Sequence, residues 1–363
     1  MARLWRRSRR VLASIGTVRR FLHFGSAERP ALQDAFGARI AARLKGGVLL
    51  RPVALLALLI VTSGFWIFFS IAATGFTSDF NLFALLRFAA IQITIGFAQM
   101  VVLGIGDMSL AVGAIGGVAG MFAGFVMQSL GMPPEVAVPL ALTAGILLGF
   151  GNALLIIWTR LNSFIVTLAT ASLITGAMLI VTHAKPFSNL PDSFTSFADG
   201  EVASVPVSPL VLVMLAVGVA LFFLYRNLSL GREMLAVGAN RRAARMSGLS
   251  VDRVVLLTHG LSGALAAVAG LMAIAADHTA SPGLGSNWLL ASFVSPAIGG
   301  TLLSGGLVSV PGTILGGVLL ATMSSGLLLM NIDNFWLTVV LGVVLLVAVG
   351  LDRLTRVVGG AAT

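Results

Sequence analysis

The chain has 363 residues, of which 58% are hydrophobic and 10% are charged, with a net charge of +10 and no cysteine. Soluble domains carry about 25% charged residues, so a water-soluble globular fold is excluded, as are a disulfide framework, a thiolate metal site and a redox thiol. The basic excess does not describe a nucleic-acid partner: twelve of the 23 Lys and Arg fall in the first 51 residues, and most others flank hydrophobic stretches, as membrane orientation requires.

Residues 1–51 form a basic cytoplasmic N-terminal segment. Leu4, Trp5, Val11, Leu12, Ile15, Phe21 and Leu22 alternate there with Arg6, Arg7, Arg9, Arg10, Arg19 and Arg20. The pattern reads either as an interfacial helix lying on anionic membrane lipid or as a flexible basic tail. No continuous apolar run precedes position 48, so no cleaved signal peptide is expected. From there, apolar stretches of about 20 residues recur, long enough to cross a bilayer as helices, and the alternating pattern of a β-barrel is missing. The expected fold is an all-α integral membrane protein of about ten transmembrane helices. They run near 52–73, 84–103, 109–130, 136–158, 163–183, 208–225, 254–276, 288–302, 306–330 and 334–350, within a domain spanning 52–351. A cytoplasmic tail, 352–363, follows. Loops on one side carry Arg160, Arg226, Arg232, Arg241, Arg242, Arg245, Arg253, Arg353 and Arg356; those on the other hold Lys185 as their only strong cation. This bias puts both termini in the cytoplasm.

Two stretches interrupt the helical pattern at corresponding places in the two halves of the chain: Gly104 to Ser109, and Gly299 to Gly306. Broken helices at matched positions indicate pseudo-repeated halves around a path through the membrane, whereas two tight turns between ordinary helices would give the same spacing. Gly113/Gly117, the ladder Gly116, Gly120 and Gly124, and the pairs Gly145/Gly149 and Gly312/Gly316 have the small-xxx-small spacing of close helix packing.

Ionisable groups are sparse within the spans. Arg87 falls near one end of the second, Asp107 at the glycine break, His259 near the start of the seventh and Asp277-His278 at its end. A proton- or sodium-coupled carrier usually needs an intramembrane carboxylate, so this sparsity weighs against that alternative. A P-loop needs Lys followed by Ser or Thr, and neither Lys45 nor Lys185 is so followed. No catalytic residue, no metal site and no cofactor is expected on this chain. Gln92, Thr94 and Gln99 on the second span and Asn162, Ser163 and Thr167 around the fifth either bond passing hydroxyls or join helices. Asp107, Ser109, Gly299, Gly300 and Thr301 at the breaks complete the candidate lining of a path.

The loop 226–253 carries the sharpest local signal. Asn240 suits an N-cap, Arg241 to Ser247 a short helix, and Gly248 the C′ position. Such a helix would present Ala243, Ala244 and Met246 beside three arginines, either to a cleft in another protein or to lipid headgroups.

Four segments together resemble the ribose-type permeases of bacterial ATP-binding-cassette importers: Gly106-Asp-Met-Ser-Leu-Ala-Val-Gly113, Phe164-Ile-Val-Thr-Leu168, Leu230-Gly-Arg232 with Gly238 through Gly248, and Gly299 through Gly306 followed by Gly312-Thr. The matches run in order over about 84–353. The resemblance implies a permease subunit for a monosaccharide or similar small polyol. It implies a second permease subunit, identical or related, a P-loop ATPase subunit that binds the ATP and Mg, and a periplasmic substrate-binding protein. The docking loop would then include Gly231, Arg232, Asn240, Ala243, Ala244, Ser247 and Gly248. The chain departs from the family pattern in the register of Asp107 and Met108, in Ser295-Pro-Ala ahead of Gly299, and in its long arginine-rich N-terminus. These departures bear on the solute. Alongside an ion-coupled carrier, a membrane scaffold or receptor without transport is a further alternative.

Overall fold

A computed structural model of the chain describes residues 50–201 and 206–333, with part of 335–346. The N-terminal segment, most of the tenth expected span and the C-terminal tail lie outside the described residues. Named helices are α1 (Leu50–Ala72), α2 (Asp79–Gly104), α3 (Val112–Gln128), α4 (Pro134–Thr159), α5 (Ser163–Thr182), α6 (Asp192–Asp199), α7 (Pro209–Asn227), α8 (Ser229–Ala239), α9 (Arg241–Met246), α10 (Val251–Asp277), α11 (Trp288–Ile298) and α12 (Val310–Leu329). Among the described residues, strand pairing is limited to an isolated bridge between Phe187 and Ala280. A backbone in hydrocarbon must satisfy its own polar groups, and a helix does so within one segment.

Starts are marked by short polar side chains. Ser78 accepts from Asn81 N, Asn162 from Phe164 N, Ser208 from Leu210 N and Ser309 from Gly312 N, each satisfying one of the amides a helix leaves open at its first turn. Among the described residues, seven helices are long and apolar enough to cross a membrane: α1, α2, α4, α5, α7, α10 and α12. The expected third and eighth spans are shorter. The third is the 17-residue α3. The eighth is reduced to the 11 residues of α11, which rise only about 16 Å, roughly half the hydrocarbon core. Pro296 sits within α11 and Gly299 caps it, and the chain runs non-helically from Thr301 to Ser309 before α12.

Helices α2 and α10 form the buried centre, each with most of its side chains covered. The glycine spacing read as packing does serve packing. A Cβ on Gly149 would strike the His259 carbonyl, one on Gly263 the Gly145 carbonyl, and one on Gly116 the Ala266 carbonyl and the ring of Trp288. Backbones of α3 and α4 therefore lie directly on α10, where no larger residue fits. At one end of the bundle, Asp199 at the close of α6 receives Arg87 of α2 at 2.9 Å and His278 at 2.7 Å, tying α6 to both central helices.

Candidate functional site

At the opposite end, the two glycine breaks meet. α2 stops at Gly104, and its chain turns through Gly106 at φ +75°. After α11 the chain turns through Gly305 and Gly306 at φ +90° and +81°, a left-handed region that glycine enters without strain. Gly306 N donates to Gly104 O at 3.0 Å, joining one break to the other. Both breaks in the helical pattern lie where the sequence places them, and they form a single packed junction.

The loop after α7 closes this junction. Gly231 lets α8 fold back on the end of α7, since a Cβ there would overlap the Leu224 carbonyl. Arg232 donates to Asn227 O at 3.1 Å, covering a carbonyl at the end of α7. Gly238, near the end of α8, abuts both Gly104 O and Gly306 N, and no side chain fits between the three strands of backbone. Asn240 then caps α9, its Oδ1 accepting from Ala243 N at 3.0 Å. Ser247 Oγ donates to Ala243 O at 3.0 Å, and Gly248 follows at φ +84°.

The short helix therefore forms where the sequence places it, ending one residue earlier. Its faces differ from the expectation. Ala244 is buried while Ala243 is exposed and Met246 is 81% exposed. Ala244 seats α9 on the bundle, its carbonyl accepting from Leu249 N at 3.1 Å, and the outward surface is built from Ala243, Met246 and the arginines.

Arg241, the first residue of α9, reaches back into the break. Its Nη2 lies 2.7 Å from Asp107 Oδ1, with side-chain exposures of 44% and 7%, and 3.4 Å from Ile105 O. His259 of α10, buried, places Nε2 3.6 Å from Asp107 Oδ2, which is an electrostatic contact and too long for a hydrogen bond. Asp107 lies in the turn between α2 and α3. Burial alone pushes its carboxyl up; His259, Arg241 and the Ser163 hydroxyl outweigh burial and hold it below the ordinary carboxylate value.

Residues from α5 fix the same turn. Met108 N donates to Ser163 Oγ at 3.1 Å and Leu110 N to Thr167 Oγ1 at 3.0 Å, while Thr167 Oγ1 donates to Ser163 O at 2.7 Å. Ser109 is buried beside them. In the second break, Thr301 Oγ1 accepts from Ser309 N at 3.3 Å, and Gly299 packs against Gly312. Gly300, at φ +83°, faces open space.

Asp107, Ser109, Ser163, Thr167 and the loop residues are thus brought into one region. Thr94 stands apart: it donates to Ala90 O and to Met272 Sδ, a helix-joining role. Gln92 and Gln99 lie higher along α2. Sequence reasoning noted Arg241 and His259 without pairing either with Asp107; the available signal was their charge in a chain so poor in charge. The site is a mechanical junction, in which a surface helix, two breaks and a buried carboxylate are bonded together.

Over residues 80–349 the chain matches the family described as branched-chain amino acid transport system / permease component. The chain belongs to this family. Among its relatives, the ribose import permease protein RbsC of Bacillus subtilis is 34% identical over 287 residues, covering 78% of this permease and 88% of that protein. The D-allose transport system permease protein AlsC of Escherichia coli is 30% identical, covering 79% and 88%. The autoinducer 2 import system permease protein LsrD of Yersinia enterocolitica is 32% identical, covering 63% and 70%. No solved structure matches the permease significantly. The permease is a multi-pass membrane protein and a component of a transport system, which favours that reading over the ion-coupled carrier.

Proposed function

We propose that the permease forms the membrane path for a monosaccharide or similar small polyol in an ATP-driven importer. A separate P-loop ATPase subunit binds ATP and Mg, and a periplasmic binding protein delivers the solute. A second permease subunit, the same or related, completes the path. Both termini and the α8–α9 loop face the cytoplasm, where the arginines of the short loops accumulate. Family membership supports the assignment to import, and the names of the sugar-importing relatives support the solute.

The observation that carries the mechanism is the packing of the α8–α9 loop on the two glycine breaks, with Arg241 of α9 at Asp107 and Gly238 of α8 against Gly104 and Gly306. A partner pressing on Ala243 and Met246 moves α9, which is paired through Arg241 with Asp107 and follows directly on α8, whose Gly238 packs against Gly104 and Gly306. ATP-driven closure of the ATPase pair thereby reaches the path itself.

The tagged chain, purified in mild detergent from gently cross-linked cells, is expected to bring down a P-loop ATPase. The capture disappears when 240–248 is replaced by a Gly/Ser linker. A chain that purifies alone sinks the importer and returns the ion-coupled carrier, with Asp107 the first residue to test.

A further inference from the structure

Between α2, α11 and α12 a pocket of about 410 Å³ opens toward the end of the bundle opposite α9. That volume falls within the range of small-molecule sites, roughly 300–1,000 Å³. Its wall mixes apolar side chains with amides and hydroxyls. Asn81, Gln92, Asn287, Ser324 and Ser325 line it together with Phe88, and Ser325 Oγ already donates to Asn81 Oδ1 at 2.9 Å. The described lining residues include no charged side chain. Arg87, next to Phe88 in sequence, is engaged elsewhere by Asp199.

The polar character continues inward. Gln92, Gly96 and Gln99 recur at spacings of four and three and so share one face of α2. Gly96 shows which way that face looks, because a Cβ there would lie 2.9 Å from Ser295 Cβ of α11. Gln92 Oε1, both polar atoms of the Gln99 side chain, and Ser295 Oγ are all buried without a hydrogen-bond partner among the described residues. Unpaired polar atoms in a protein interior are costly and rare, and hydrocarbon makes them more so. Four of them along one seam, leading down from a pocket, are positioned to meet something polar that passes.

We infer that the α2/α11/α12 seam is the permease's solute site, with the Asn81–Gln92 pocket as its mouth and Gln99 and Ser295 as its inner rung, and that it takes an uncharged polyhydroxylated solute. Amides and hydroxyls both donate and accept, as sugar hydroxyls do, and Phe88 supplies an apolar surface for the face of a ring. A zwitterionic amino acid would bring two charges to a wall that offers neither countercharge, a severe desolvation loss. The seam thus separates the sugar reading from the amino-acid reading that the family description alone would allow. This inference rests on the transport function proposed above.

The chain's lack of cysteine makes the test direct. Single variants Gln92→Cys, Gln99→Cys and Ser324→Cys, in the full chain in native membranes, are treated with a small hydrophilic thiol reagent, with Thr94→Cys as the dry reference. ATPase capture is measured on each preparation to show that the permease is assembled. The seam variants are expected to react at least tenfold faster than Thr94→Cys. Saturating D-ribose or D-allose should slow them at least threefold, and L-leucine should leave them unchanged. Ser324 sits at the partly exposed rim, so its variant keeps the test available if a glutamine variant does not fold.

Reaction no faster than at Thr94 makes the seam dry packing and overturns the inference. Protection by leucine, or by neither solute, also overturns it, and continued ATPase capture then leaves the importer standing. Loss of ATPase capture from the unsubstituted chain removes both.

Discussion

Arg241 Nη2 stands 2.7 Å from Asp107 Oδ1, pairing the first residue of the surface helix α9 with the turn that ends α2. The pair bridges 134 positions of sequence, and its carboxylate is buried while its guanidinium is nearly half exposed. Removing the arginine leaves the buried carboxylate to His259 and Ser163. Arg241→Ala and Asp107→Asn are each expected to lower the melting temperature of the purified chain. Solvent around Arg241 keeps the loss below the roughly 3–5 kcal/mol of a broken fully buried pair. The double variant should lose less than the sum of the two, with a coupling of about 1–2 kcal/mol. Strict additivity would show that the two groups do not act together.

The same carboxyl has a defined pH signature. Its value in the folded chain is depressed, so the unfolded state binds the proton more readily, and the pair's stabilisation is complete above the ordinary carboxylate range near pH ~4. It is lost only as pH falls below that range, through the depressed value. Between pH 6 and 8, on the scale of that roughly pH 4 threshold, Asp107 stays ionised and takes up no proton. Uptake by ATP-loaded proteoliposomes should therefore continue when the proton gradient is collapsed. Cessation of uptake would point instead to a proton-coupled carrier.

Gly238 has no room for a methyl group. Gly238→Ala drives a Cβ into Gly104 O and Gly306 N, backbone atoms that yield only if the junction opens, at about 2–3 kcal/mol or more. Gly151→Ala, in the helix α4 with nothing near its Cβ, should be neutral or slightly stabilising. Comparing melting temperatures and uptake for the two isolates the junction; equal behaviour would refute its tightness.

Docking and folding separate on neighbouring residues of α9. Met246→Glu changes a side chain that is 81% exposed, so the melting temperature should hold while ATPase capture weakens by about tenfold or more. Ala244→Glu buries a charge against the bundle and should lower the melting temperature itself. Capture unaffected by Met246→Glu would place the partner elsewhere.

Local chemistry made much of this end of the molecule readable in advance. Asn240 and Gly248 bracket α9 because a side-chain acceptor and a left-handed position are properties of single residues. The small-residue spacings predicted close crossings, and Gly149 on His259 is one. The inward face of Ala244 was not legible, since a helix of six residues shows its neighbours only once the fold exists. Nor was the shortness of α11: Trp288 to Ile298 is mostly apolar, and at its end Gly299 packs on Gly312. The partnership of Asp107 with Arg241 and His259 joins three distant segments, which no spacing reveals. From sequence, Gln92 and Gln99 fit a path or a helix contact equally, because the lack of partners for Gln92 Oε1 and for both polar atoms of Gln99 is a property of the packing.

Gly238 touches Gly104 and Gly306, and Gly306 is bonded to Gly104, so this end of the bundle has no slack. A side chain at such a meeting point would act as a spring, absorbing part of any push by changing rotamer. Bare backbone has no rotamer to change, and the two interruptions cannot be displaced one without the other. In the proposed coupling the junction would behave as a rivet, a stroke delivered through the α8–α9 loop displacing both breaks in step.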